Sequence, residues 1–269
     1  MVKIMVKIMP GINEDINEDM MVAIINEQLN PKELTAKYGY KRRKLLYMGV
    51  PLPEDLESIK KVTGDDSWQP DEWFVVPFRA SDNLVSRSYK VWHDNVLQQM
   101  PSKLIGKNLI INHDWDDVRS SVGIIFDGFM SYDEPDQENY ESDTVSQSNY
   151  KIIQEKGYKC VYLLAAIHAS KPQEIMDIKT GRVSKCSTGS ILSDVSIICP
   201  HCSEEYGREV SFFEIDENSN YICPHSIPGG YQVEEDELVA DYAIWDGIFD
   251  GIELSLVVCG NLPGASVMR

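Results

Sequence analysis

The sequence predicts a mostly β fold, a barrel or sandwich with peripheral helices, and three observations carry that expectation. From residue 72 onward, short runs rich in Val, Ile, Leu and aromatic residues recur at close spacing. Helical periodicity is confined to a few short segments. Residues 251–259, Gly-Ile-Glu-Leu-Ser-Leu-Val-Val-Cys, form a late apolar run placed to close a sheet.

Residues 1–70 differ in texture from the remainder of the chain. Met-Val-Lys-Ile is immediately repeated, and so is Ile-Asn-Glu-Asp, a duplication too short for a repeat architecture. Residues 19–29 read as a short amphipathic helix with Met20, Ala23 and Ile24 on successive turns. Pro31 opens a second helix from its favoured first turn, and Pro53 a third. Gly64-Asp-Asp-Ser-Trp-Gln-Pro70 is turn-like. We therefore read 1–70 as a helical N-terminal region and linker, and 71–269 as the main domain.

In that domain, strands are expected at 73–78, 104–113, 122–129, 159–168, 183–198, 242–246 and 251–259. A helix is expected around 91–99. A second covers 171–181, where Gly181 supplies the left-handed cap. Residues 131–149 are acidic and polar with almost nothing to bury, which predicts a surface loop.

Composition narrows the function. With 25 basic and 43 acidic residues the formal charge is −18, which argues against a nucleic-acid partner, since phosphate binding needs clustered Lys and Arg. The one basic cluster, Lys41-Arg-Arg-Lys44, is short and reads as a solvated helix end. No apolar run approaches the ~20 residues that span a bilayer, and the start is too interrupted by Lys3 and Lys7 for a signal sequence. The expectation is a cytosolic chain. Of the six cysteines, Cys160, Cys186 and Cys259 lie in apolar runs, as small buried residues do.

The others have metal spacing. Cys199-Pro-His-Cys202 is C-x2-C, and Cys223-Pro-His225 comes after twenty intervening residues. Four soft or borderline donors arriving on two turns suit tetrahedral zinc. Cys199, Cys202, Cys223 and His225 are the expected ligands, with His201 the alternate nitrogen. A closed four-ligand site leaves no open position, so the zinc would be structural, holding an insertion over 199–230 too small for its own core.

A nucleophilic serine needs a base, and the base a group that orients it. His113 stands at a strand end beside Asp114, Asp116 and Asp117, and Ser187 sits in a Ser-Thr-Gly turn. On composition alone His93 and His168 compete equally, so spacing does not choose among them.

Three separated segments resemble the prohead maturation proteases of tailed bacteriophages, serine proteases similar in fold to the herpesvirus assemblins. They are Leu109-Ile-Ile-Asn-His113 with Val122-Gly123, Gly181-Arg-Val-Ser-Lys-Cys-Ser187-Thr-Gly189, and Glu253-Leu-Ser-Leu-Val257 with Asn261-Leu-Pro-Gly-Ala265. Some members also carry a cysteine-knuckle insertion after the serine strand. The order agrees over 73–269. Two departures stand out: Thr188 replaces an aliphatic residue, and Val258-Cys-Gly260 replaces the usual proline-alanine.

The resemblance implies a closed or partly closed barrel of assemblin type. It implies Ser187 as nucleophile, His113 as general base and Glu253 as third member, with His168 the runner-up and Ser190 the fallback nucleophile. It further implies an endopeptidase whose substrates are phage scaffold and major capsid proteins and the chain itself. The setting would be the immature head in the host cytoplasm, with a homo-oligomer expected and neither nucleic acid nor membrane as partner. The alternative is an inactive protease fold serving as an internal head or scaffolding component, and a third reading is a host zinc-ribbon β-protein with accidental similarity.

Overall fold

The computed structural model describes residues 47–132, 146–200, 205–207, 225–226, 238–239, 242–262 and 264–268. The helices expected at 19–29 and from Pro31 lie outside the described residues, as does most of the polar stretch 131–149. Among the described residues no helix is long and apolar enough to cross a membrane.

In chain order the elements are helix α1 (Pro53–Thr63), strand β1 (Trp73–Asp82), β2 (Lys90–Trp92), α2 (Asp94–Leu104), β3 (Asn108–Ile111) and β4 (Gly123–Ser131). Then come α3 (Ser146–Lys156), β5 (Cys160–His168), α4 (Pro172–Lys179), β6 (Lys185–Ile198), β7 (Glu205–Gly207), β8 (His225–Ser226), β9 (Leu238–Val239), β10 (Ala243–Val257) and β11 (Ser266–Val267). Seven of the strands close into a barrel in the order β10-β3-β4-β5-β1-β11-β6, with β6 returning to β10. Closure removes exposed sheet edges over the paired stretch. The mostly β class with peripheral helices is what the sequence predicts.

Alternation along each strand defines the interior. Phe74, Val76, Phe78 and Ala80 of β1 meet Val161, Leu163, Ala165 and Ile167 of β5, with Leu109, Ile125, Cys186, Leu254, Leu256 and Val267 from the other barrel strands. Helix α2 adds Val96, Leu97, Met100 and Leu104 to this cluster. The outer face of β1, β4 and β5 presents Trp73, Val75, Phe126, Leu164 and Ala166, covered by Ile59 of α1. Full burial of such an aliphatic side chain contributes about 1.5–3 kcal/mol. Residues 53–63 therefore pack directly on the barrel, as does Gly49, which bridges Val75.

Three elements differ from expectation. The helix expected over 91–99 is displaced, because Lys90–Trp92 pairs in parallel with Ala243, Ile244 and Trp245 of β10 and the helix begins only after His93. It then runs through Pro101 to Leu104, so β3 starts at Asn108 rather than at 104; the interior stripe Val96, Leu97, Met100, Leu104 has helical spacing. The polar loop gives way at Ser146 to α3, where Ser148 and Asn149 are buried and the Asn149 side chain accepts from Val85 N at 2.8 Å. Their polarity marks satisfied burial, which composition does not reveal. Third, the two closing strands are one, β10, interrupted by bulges rather than by a loop.

Candidate active site

The two bulges of β10 against β6 lie between Asp246 and Ile248 and between Gly251 and Glu253. The second decides which way the end of the strand faces. Phe249 points into the interior, and strict alternation would carry residue 253 inward too. Ile252 is extra: Gly251 lies opposite Ser190 while Glu253 lies opposite Gly189. The inward positions become Leu254 and Leu256, so Glu253 and Ser255 turn to the outer face. Gly251 is required here, since a Cβ would sit 2.6 Å from Leu104 Cδ2 and 2.8 Å from Lys103 O.

β3 runs parallel to this part of β10, with Ile111 opposite Leu256. The chain then turns through Asn112 and His113, consecutive non-glycine residues at φ of 54° and 55°. Left-handed backbone at such residues costs about 1–2 kcal/mol each, and strain of this kind concentrates at functional sites. Backbone bonds retain the turn: Asn112 N donates to Leu256 O at 2.9 Å and Asp114 N to Ile111 O at 3.1 Å. His113 N donates to Ser255 Oγ at 3.0 Å.

The turn brings the His113 ring onto Glu253, with Nδ1 and Oε1 2.7 Å apart. Glu253 is 3% exposed in its side chain and His113 38%. A carboxylate only accepts, so the bond places the proton on Nδ1 and leaves Nε2 as the basic nitrogen. Glu253 Oε2 is buried without a hydrogen-bond partner among the described residues. Within that set the carboxylate is held by one bond, to the imidazole.

β6 supplies the third side. Ser187 lies opposite Ser255 and Gly189 opposite Glu253, and directly opposed residues share a face. Ser187 is thus half-buried on the outer face that carries Glu253, Ser255 and the His113 turn. Ser190, the fallback, alternates to the other face, as does Thr188 opposite Leu254. Cys186 is inside the barrel, its Sγ donating to Arg79 O at 3.3 Å, and burial pushes its thiol far up, which excludes it as a nucleophile.

The structure thus brings Ser187, His113 and Glu253 onto one face and places His168 elsewhere. The His168 Nδ1 is 2.7 Å from Ser170 Oγ, and its ring packs edge-on against Trp68 and Trp73 at 5.6 and 5.2 Å. His93 is paired with Asp246 at 3.1 Å. Cys259, expected to be buried, is exposed in the loop after β10, where its sulfur accepts from Arg87 Nη1 at 2.9 Å.

Of the zinc ligands, Cys199 is buried just after β6. Cys202 and Cys223 lie outside the described residues, as does His201, and of His225 only the backbone is described, in β8 paired parallel to β9. Among the described residues no group of three or more metal-binding side chains occurs.

Two residues of the site, Ser255 and Asn112, are not singled out by the sequence. The Glu253-Leu-Ser255 alternation carries a signal for Ser255; nothing in the sequence marks Asn112 as left-handed beyond the tolerance of Asn for that conformation. Comparison with protein-family models, with curated proteins and with solved structures found no match to this chain.

Proposed function

We propose that this chain is a serine endopeptidase of the prohead maturation type. The observation that carries the reading is the 2.7 Å bond from His113 Nδ1 to the buried Glu253 carboxylate, on the same outer face as Ser187. Nε2 takes the Ser187 proton as Oγ attacks the peptide carbonyl, and returns it to the leaving amine. Water then repeats the sequence on the acyl-enzyme. Glu253 fixes the tautomer and stabilises the imidazolium that forms in both half-reactions.

The closed barrel and the order of the three motifs support an assemblin-type fold, scaffold and major capsid segments as substrates along with the chain itself, and an immature phage head as the setting. Three thiols and an imidazole over 199–230 favour a structural zinc, held by Cys199, Cys202, Cys223 and His225, that folds the insertion and takes no part in the chemistry.

Co-expression with the cognate scaffold and capsid proteins, followed by intact-mass analysis, tests the activity. Truncated substrate with wild-type protein and intact substrate with Ser187→Ala support it. Unchanged substrate with both proteins, or equal cleavage by both, overturns it; unchanged substrate favours an inactive head component. Metal analysis of the same preparation is expected to give one zinc per chain, lost in Cys199→Ser with Cys223→Ser.

A further inference from the structure

We infer that Ser255 is the positioning residue that holds the base in place, an inference that rests on the protease reading of this site. Ser255 is fully buried in the middle of an otherwise apolar stretch, between Leu254 and Leu256. A hydroxyl there is costly unless it is hydrogen-bonded. Its bond is specific: Oγ accepts from the backbone N–H of His113 at 3.0 Å.

That N–H is the one in the turn that the sheet leaves over. Asn112 N finds a backbone acceptor on Leu256, and Asp114 N closes back onto Ile111. At His113 the chain has left the parallel ladder in a left-handed conformation, and β10 answers with a side chain instead of a carbonyl. The base is thereby held at two points on one strand, the ring by Glu253 and the backbone by Ser255 two residues on. Register adds the third partner, because Ser255 lies directly opposite Ser187 on β6. One residue thus ties the backbone of the base to the strand position facing the nucleophile.

Without the hydroxyl, the His113 N–H loses its partner, and the left-handed turn keeps only the backbone bonds of Asn112 N and Asp114 N on either side of it. A shift of about 1 Å at a reacting group lowers rates on the order of a hundredfold. Ser255 touches neither substrate nor the reacting atoms, so its effect passes through His113.

The test uses the full chain carrying Ser255→Ala, Ser255→Cys or Ser255→Thr. Three quantities are read: hydrogen exchange of the His113 amide by NMR, the second-order rate of Ser187 labelling by a fluorophosphonate, and thermal unfolding. Ser255→Ala is expected to exchange at His113 at least about tenfold faster and to label about 10–100-fold more slowly, with exchange at Leu163 in the barrel interior unchanged. Ser255→Cys fills the same space with a poor acceptor and is expected to behave like the Ala variant, which keeps the test decisive should the Ala variant not fold. Ser255→Thr retains the hydroxyl and is expected to restore His113 protection. The proposal is overturned if a folded Ala or Cys variant protects His113 as the wild type does, or if the wild type labels and both variants label at the same rate. Wild type that never labels, with the exchange pattern as expected, overturns the protease reading and leaves the hold of Ser255 on His113 standing.

Discussion

Gly189 and Glu253 face each other across β6 and β10 so closely that no side chain fits between them. A Cβ at 189 would overlap Glu253 Oε1 outright and lie 2.9 Å from Cδ. The glycine of Ser187-Thr-Gly189 is therefore set by the carboxylate that binds His113, independently of any need for unusual backbone angles. Gly189→Ala is expected to displace Glu253, lower stability by about 1–3 kcal/mol through overpacking and lower Ser187 reactivity. Urea unfolding checks the first effect. The double variant Gly189→Ala with Glu253→Ala is expected to regain part of the stability but none of the reactivity.

Glu253→Gln keeps the shape and removes the charge. An amide neither fixes the Nδ1–H tautomer uniquely nor stabilises imidazolium. Reaction of Ser187 is expected to slow by about 10²–10⁴, as loss of the orienting carboxylate does in other serine hydrolases, while unfolding stays close to wild type. A single-turnover rate measured against the wild type decides it. An unchanged rate would remove Glu253 from the mechanism.

Asp82 gives the molecule a pH dependence unconnected with the site. It is buried at the end of β1, and burial raises its pKa above 3.8 despite bonds from Leu84 N at 3.0 Å and from the Tyr158 hydroxyl at 3.5 Å. A carboxyl that holds its proton more tightly when folded favours the folded state most at pH below the unfolded value. As pH rises from about 4 through the raised value, the unfolded chain has released this proton and the folded one has not. Stability then falls, by at most about 1.4 kcal/mol per pH unit. Asp82→Asn lacks this proton, so its stability relative to wild type is expected to grow from pH 4 to pH 7 in urea titrations. A difference that stays constant with pH would contradict the assignment.

The thiols separate by environment. Burial pushes Cys160 up to about 12 and Cys186 further, so neither forms the reactive thiolate at neutral pH. Cys259 is exposed. Brief iodoacetamide treatment of the native protein at pH 8, read by peptide mass spectrometry, is expected to modify Cys259 and to reach Cys160 and Cys186 only after denaturation.

The β class and most strands are legible because their signals are periodic, in alternating apolar runs; the candidate trio of Ser187, His113 and Glu253 comes from the resemblance of three ordered motifs, since local signals leave His93 and His168 in competition with His113. What is not legible depends on contacts distant in sequence. The segment at 90–92 becomes a strand only because β10 lies beside it in parallel. The outward turn of Glu253 depends on one extra residue, Ile252, counted against a partner strand far earlier in the chain. Alternation places Ser255 on the face of Glu253, but what it does there lies in the His113 amide it accepts from, a contact more than a hundred residues away in sequence. Cys259, read as buried from its apolar neighbours, falls just past the last paired residue of β10.

Mass spectrometry of the native chain after exposure to a fluorophosphonate tests the central claim most directly. A single adduct on Ser187, absent in Ser187→Ala and slowed at least about a hundredfold in His113→Ala, is the predicted result. No adduct on folded wild-type protein, or the same adduct formed at the same rate in His113→Ala, would contradict it.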